Sequence, residues 1–416
     1  MAFQQGLSGL NSSSRALDVI SNNVANASTV GFKAGNTIFA DVYASALTGA
    51  TSSIQVGIGS KVAAVYQKFT EGPLNTTNNP LDVAINGNGF FVVQRHDGTT
   101  AYTRNGQLDI DTEGYIVTPM KERVMGYKAS DDGFIPVSGG TVEPLFVPRN
   151  EIAPKATTRF DIKAANLSAD AEAIPASTPF DQTNVDSYNY MTSETVFDSL
   201  GGQHSLAVYF VRTNVNPSEW DVHAVLDGDA STDLTLGTPP TLSFDGYGKL
   251  APVPGPLNYT VGPLPNGAAN LDIDIDLDKV TQFGSPFSIN DKSQDGYTSG
   301  QIAGIVISTD GIIQGRYSNG VTKNLGQIAL ATFRSDQGLI SLGDNLWAET
   351  PESGQPIVGR PSTGLNGVIS AGQVEESNVD LTDELVKMII QQRNYQANAQ
   401  SIRTQDQLLQ TLVNLR

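Results

Sequence analysis

No cysteine occurs among the 416 residues. Disulfides, thiolate metal sites and cysteine nucleophiles are therefore excluded. Histidine is nearly as scarce: His96, His204 and His223 are the full set. None sits in H-E-x-x-H or at another metal-ligand spacing. His204 and His223 fall in strand-like runs, where a solvated or hydrogen-bonded ring is the ordinary outcome. Long apolar runs are missing too, with no stretch of about 18 apolar residues to cross a bilayer. The opening MAFQQGLSGLNSSSR lacks the basic start and apolar core of a signal peptide. The expectation is a cytoplasmic protein, or one exported by a route that reads no such signal. Basic charge is in short supply, with 25 Lys and Arg against 43 Asp and Glu, a net charge of −18 and a pI near 4.5. Such a balance argues against a phosphate backbone as partner.

Motifs for chemistry are also wanting. VGIGSK (Val56–Lys61) lacks the third glycine of G-x-G-x-x-G and the spacing of G-x-x-x-x-G-K. LDIDIDLD (Leu271–Asp278) offers four aspartates, but alternate residues of a strand stand ~6.8 Å apart along it. One calcium ion with bonds of ~2.4 Å does not bridge that gap unaided. The preferred reading is an amphipathic strand with Leu271, Ile273, Ile275 and Leu277 inward. No G-x-S-x-G and no Ser/His/Asp grouping appears, so no enzyme, cofactor or metal is expected.

What is present is organisation. A chain of this length suffices for two or three domains with a sizeable core. Phe3, Leu10, Leu17 and Val24 recur every seven residues with Leu7 on the same seam, a helical pattern that Ser14 and Ser21 weaken. Gly31 follows as a stop signal. Residues 34–60 are rich in Gly, Ser, Thr and Ala without a period, and 34–70 reads as a connecting segment. From about residue 62 the period becomes two. Short β runs are punctuated by Asn86-Gly87, Asp97-Gly98, Asn105-Gly106 and Glu113-Gly114, and later by Asp310-Gly311 and Asn319-Gly320, which are hairpin signals. The two blocks, 71–147 and 291–369, are expected to form one discontinuous β domain. Between them 148–290 reads as an inserted acidic β domain: residues 147–290 hold 18 acidic and 7 basic side chains, against 2 and 4 in residues 1–70.

After Gly372 the helical period returns. Leu381, Met388, Tyr395, Ile402 and Leu409 fall at heptad spacing, with Leu385, Ala399 and Val413 beside them. Ser377, Asn378 and Asp380 are candidate N-caps, and Glu375, Glu376, Asp383 and Glu384 suit the positive end of the helix dipole. About 35 residues give ~50 Å of helix. The N-terminal helix thus finds its partner some 350 residues away. The pair reads either as an intramolecular hairpin or as segments that fold on assembly. Ser14, Ser21, Gln392 and Asp406 dilute the seam, and a lone pair so polar is marginal in water, which favours assembly. Gln396, Gln400, Arg403, Gln407 and Gln410 form a separate stripe about 100° round the helix. Such a stripe suits a solvated face or the wall of an aqueous passage. The expected fold is mainly β and multi-domain. The terminal helices, 1–33 with 370–416, form a coiled-coil-like inner domain around nested β domains.

These residues carry a resemblance. NNVANASTVGFK (Asn22–Lys33) resembles the N-terminal signature of the bacterial flagellar rod and hook proteins. PLDVAINGNGFFVV, YTRNGQL and GYIVTP are similar to that family's central motif. The segment from GVISAGQVEESN to the C-terminus is similar to its C-terminal signature. Rod members have less between the last two motifs, so the extra ~140 residues resemble the hook branch. Flagellin, without Gly-Phe-Lys, fits less well.

The resemblance implies a tubular homopolymer that joins rod to filament and transmits torque round a bend, with a central channel. It implies export, unfolded, through the flagellar type III apparatus, assembly under a hook-cap protein, and contacts to a distal rod protein and a hook–filament junction protein, with no nucleic acid and no membrane insertion. It also marks Asn22, Asn23, Asn26, Gly31, Phe32 and Lys33 as motif residues. Gly31 is expected to supply a turn, Phe32 to anchor the linker to a neighbour or to its own chain, and Lys33 to be solvated. The rivals are a distal-rod-type axial protein and a secreted β-rich, calcium-dependent binding protein.

Overall fold

A computed structural model describes residues 2–42, 57, 59–130, 133–135, 141–233, 240–253 and 255–414. Two helices lie at the ends of the chain, α1 at Ala2–Ala25 and α2 at Leu381–Asn414, and everything between them is strand, turn and loop. The described residues fall into two compact units. The first comprises Met1–Pro148, Gly304–Arg316 and Thr322–Arg416; the second comprises Arg149–Ala303 with Tyr317–Val321.

In the first unit, strands from the two distant sequence blocks are hydrogen-bonded to one another. Thr322–Ile328 runs antiparallel to Arg123–Lys128, Leu330–Thr332 to Phe90–Gln94, and Leu346–Ala348 to Thr100–Thr103. Their inward faces meet in an aromatic core in which Phe69, Phe90 and Trp347 pack edge to face at 5.5–5.7 Å. Such pairs add directional energy to simple burial. Four of the six Gly-containing pairs close hairpins as their turn chemistry requires: Asp97-Gly98, Glu113-Gly114, Asp310-Gly311 and Asn319-Gly320, each glycine at positive φ. The other two do not. Asn86-Gly87 ends a strand that pairs with Val368–Ala371. Gly106 is required by close approach instead, since a Cβ there would overlap the Val83 carbonyl oxygen, whose own N–H is bonded to the Gly106 carbonyl.

The expected connecting segment 34–70 holds regular structure. β1 (Gly35–Val42) and β2 (Gly59–Gln67) pair antiparallel along their whole length, with one irregularity at Ile38/Phe39. Residues 43–56 and 58 lie outside the described residues, and with them Val56 and Ile58 of VGIGSK. A period-two pattern failed to show because β1 is half-exposed on both faces and carries no apolar alternation.

In the second unit, a four-stranded antiparallel meander (Tyr190–Phe197, Gln203–Asn214, Ser218–Leu226, Thr241–Phe244) shares one apolar core with a second sheet centred on Arg159–Ser168. That strand runs parallel to Leu271–Asp276 and Val280–Phe283 and antiparallel to Ser288–Gln294. Phe160, Phe210, Trp220 and Ile273 are fully buried there. In LDIDIDLD the alternation is as read: Leu271, Ile273, Ile275 and Leu277 are inside, and Asp276 faces out to pair with Arg159 at 2.8 Å.

Candidate assembly site: the paired helices and their neck

The two helices run antiparallel against each other within one chain. Asn23 Nδ2 donates to Glu384 Oε2 at 3.2 Å near one end, and Gly6 faces Ile402 near the other. Of the heptad seam, Ile402 enters the contact, against a glycine of α1. A Cβ on Gly6 would stand 2.9 Å from Ile402 Cγ1, and one on Gly9 2.8 Å from the Asn398 amide. The buried residues of α1 are Gly6, Ser12, Ser13, Ala16, Ile20 and Asn23. Small side chains let two helix backbones approach more closely than leucines would. On the other side of α1, Ser12 Oγ donates to the Ser60 carbonyl at 3.0 Å and Gln5 Nε2 to that of Gly57 at 2.6 Å, which fastens β2 along the helix.

The large apolar residues of the expected seam are left outward or at the edge of this contact. Phe3, Leu7, Leu381, Leu385, Tyr395 and Leu409 are exposed, and Leu10, Leu17, Val24, Met388 and Ile402 are half-buried. The side chain of Val413 lies outside the described residues. Twelve residues of α2 lie beyond Ile402, ~18 Å of helix. Leu408 and Leu409 there are 61% and 57% exposed. Gln396, Gln400, Arg403, Gln407 and Gln410 all face solvent.

The motif residues gather where both helices meet the strands. Asn22 and Asn26 bond to each other at 2.6 Å and close the end of α1. Asn23, 2% exposed, mimics a strand neighbour. Its Oδ1 accepts from the Gly35 N–H and its Nδ2 donates to the Gly35 carbonyl, each at 2.8 Å. Gly31 has φ +73°, and a Cβ would lie 2.7 Å from the Asn105 nitrogen. Phe32 is half-buried against its own chain.

Lys33 is not solvated. Its side chain is fully buried, with Nζ 2.5 Å from Glu375 Oε1 and 2.8 Å from the Thr70 carbonyl. Arg104 Nη1 approaches the other Glu375 oxygen at 3.3 Å, and the Gly72 N–H donates to the first at 3.0 Å. Burial pulls the Lys33 ammonium below the usual lysine range, and the Glu375 charge works against that pull. A buried carboxylate needs such compensation on both oxygens. Asn378 completes the neck: its Oδ1 accepts from the Ala34 N–H at 2.8 Å and its Nδ2 donates to the Lys68 carbonyl at 2.7 Å. Asp380 is the N-cap of α2, accepting from the Thr382 N–H at 2.8 Å.

Arg104 was legible only as part of the central motif, and Asn378 and Glu375, read as cap and helix-dipole residues, instead hold the neck. Placed together, Lys33, Arg104 and Glu375 are one residue from each of the three motifs. Two of the three histidines, His204 and His223, have partners in the second unit. His204 bridges Asp227 at 2.6 Å and Asp198 at 3.2 Å, and His223 stacks on Phe180. No group of three or more His, Asp or Glu side chains that could hold a metal ion occurs among the described residues.

Family models match along the chain in order. The Flagella basal body rod protein model covers residues 3–33, and the Flagellar hook protein FlgE/F/G D1 domain covers 84–165. The Flagellar basal body protein FlaE D2 domain covers 166–297, and the Flagellar basal body rod FlgEFG protein C-terminal covers 370–415. The flagellar hook protein FlgE of Escherichia coli (strain K12) is 40% identical over 417 residues, spanning all of both chains. The chain belongs to the flagellar hook protein family. A more distant hook-family member, FlgE of Borreliella burgdorferi, is 32% identical over 449 residues, covering 100% of this chain and 99% of the relative. The crystal structure of Helicobacter pylori flagellar hook protein FlgE2 shares the fold, with a TM-score of 0.53 at 16% identity over 71% of this chain and 98% of that one. Hook-family chains are structural proteins rather than enzymes and assemble into a polymer of the flagellum. No helix among the described residues is long and apolar enough to cross a membrane.

Proposed function

We propose that this chain is the subunit of the hook, a tubular homopolymer that joins rod to filament and passes motor torque round a bend. The observation that carries this reading is the helix pair. Its intrachain contact consumes the small residues and leaves Phe3, Leu7, Leu385 and Leu409 uncovered. Apolar side chains exposed along two helices are what neighbouring copies would cover. In this reading Leu10, Leu17, Val24, Leu381, Met388, Tyr395, Ile402 and Val413 complete the intersubunit seam. Gln396, Gln400, Arg403, Gln407 and Gln410 line a channel through which further subunits pass unfolded. Export uses the flagellar type III apparatus, assembly proceeds under a hook-cap protein, and the finished polymer contacts a distal rod protein and a hook–filament junction protein.

Electron microscopy of basal bodies from a strain lacking the gene tests the reading. Complete rods ending without a hook are expected. Truncated rods would instead place the chain in the rod, and intact flagella would refute an axial role. Deleting 148–290 should still permit a polymer but alter its curvature or bending stiffness, because weak polar contacts outside the helix seam can re-pair as the tube bends.

A further inference from the structure

Both ring nitrogens of His204 face carboxylate oxygens. Nδ1 lies 2.6 Å from Asp227 Oδ2, and Nε2 lies 3.2 Å from Asp198 Oδ2. A neutral imidazole has one N–H, so either tautomer would set a bare lone pair against a carboxylate; only the imidazolium donates to both. The Asp198 side chain is wholly buried and the ring nearly so, which leaves water little scope to screen them. The three residues stand on three pieces of the second unit. His204 is on the strand Gln203–Asn214, opposite Val196 of the neighbouring strand. Asp198 heads the turn between those strands, where its Oδ1 accepts from the Leu200 and Gly202 N–H groups at 2.8 and 2.7 Å, and Asn266 donates to its Oδ2. Asp227 follows the strand Ser218–Leu226 with φ at +53°, a left-handed backbone uncommon outside glycine, and its Oδ1 accepts from the Ser205 N–H at 2.7 Å. Backbone N–H groups thus fix each carboxylate independently of the ring between them.

We propose that His204 is a proton-operated latch of the inserted unit, tying the 198–202 turn to the turn at Asp227 when charged and releasing one of them when neutral. Asp198 and Asp227 are the charged groups that act on the ring, from the two turns packed against it. Burial works against the charge on the ring, but the hydrogen bonds and charges of the two carboxylates outweigh it, and His204 titrates above the ordinary 6.5. Burial also opposes the charge on Asp198. Hydrogen bonds from Asn266, the Gly202 N–H, His204 and the Leu200 N–H hold that carboxyl below 3.8, so the proton stays on the ring. A ring that binds its proton more tightly folded than unfolded contributes its full stabilisation below the unfolded value and loses it as pH rises through the folded one. The latch is therefore closed in mild acid and opens as the medium turns alkaline, within the range where histidine serves as a switch.

NMR of the full-length free chain labelled at histidine tests it, with the three ring signals assigned by replacing each histidine in turn. The His204 signal should titrate above 6.5. In Asp227→Asn it should titrate lower than in wild type, because an asparagine amide that donates to Nδ1 suits the neutral ring. Melting curves taken from about pH 6 to about pH 9 span the transition. Over that range wild type should lose several degrees more than His204→Gln, and the two should converge at the alkaline end. Amide exchange at Gly202 and Ser205, corrected for its intrinsic rise with pH, should quicken over the same range in wild type and hold steady in Asp227→Asn. A His204 ring that titrates at or below the ordinary value would overturn the proposal. So would a His204→Gln curve parallel to wild type at every pH, or protection at Gly202 and Ser205 that is unchanged in alkali.

Discussion

The inserted unit and the helix pair solve opposite problems. In the unit Arg149–Ala303, Phe160, Phe210, Trp220, Val222 and Ile273 are wholly buried in one core. At ~1.5–3 kcal/mol for each large side chain buried, that core can outweigh its own ordering entropy. In the helix pair the buried residues are chiefly Gly, Ser, Ala and Asn, while Leu and Phe look outward. One region buries its large apolar side chains within the chain, and the other leaves Phe3, Leu7, Leu385 and Leu409 exposed.

The largest effects should test that contrast directly. Trp220→Ala should cost ~3–5 kcal/mol through the cavity it leaves, read as a lowered transition in calorimetry of the free chain. Leu409→Ala, at an exposed position, should stay within about 0.5 kcal/mol in the free chain yet weaken or abolish polymer. If both variants melt alike as free chains, the distinction between the regions fails.

The neck is a third kind of solution, ionic rather than apolar. Glu375→Ala strands Lys33 and Arg104 without their buried counter-charge, a change expected to cost ~3–5 kcal/mol. The triple replacement Lys33→Met, Arg104→Met, Glu375→Leu should recover much of that loss, because an apolar cluster of similar volume carries no desolvation penalty. Denaturant titration of the single and triple variants separates the two cases. A triple variant as unstable as Glu375→Ala would mean that the charges themselves hold the neck.

The sequence showed the elements far better than their contacts. Periodicity gave a helix of about 25 residues at one end and about 35 at the other, as found at Ala2–Ala25 and Leu381–Asn414, and the Leu271–Leu277 alternation gave the right inward face. The two helices are paired in the sequence reading, but an apolar repeat passes over Gly6 and Gly9, which face Ile402 and Asn398 and carry almost no hydropathy. Lys33 was misjudged for a different reason. Its counter-ion Glu375 stands 342 residues away, and no local pattern reports an ion pair of that span. The β1 half of the hairpin escaped because that strand alternates neither in polarity nor in burial, whereas most of β2 falls in the period-two stretch that begins near residue 62.

A smaller effect sharpens the reading of the neck. Gly31→Ala imposes a left-handed backbone on a residue with a Cβ, worth ~1–2 kcal/mol, and adds contact with the Asn105 backbone at 2.7 Å. Gly364 has a similar φ of +61° but open space around it. Gly364→Ala should therefore show the backbone cost alone. Equal melting shifts for the two variants would mean that the Asn105 contact yields freely and that the neck is less tightly built than its distances suggest.

The smallest predicted effect lies back in the inserted unit and concerns acid. Burial alone would raise the Asp295 carboxyl. Hydrogen bonds from Lys155, from the Thr158 hydroxyl and from the backbone N–H groups of Arg159 and Thr158 outweigh it and hold the group at about 2, below the ordinary 3.8. In the pH interval between those values the unfolded chain binds the extra proton, so stability falls as pH drops. The contribution of Asp295 is thus complete above about pH 4 and disappears by about pH 2. Asp295→Asn should be less stable than wild type at neutral pH, and the two curves should converge over that acid interval. Because Lys155, Thr158 and Arg159 all flank one strand of the unit, convergence would mark this as a local clasp on a core that is otherwise stable to acid. A gap that persists to pH 2 would show that Asp295 acts through packing rather than charge.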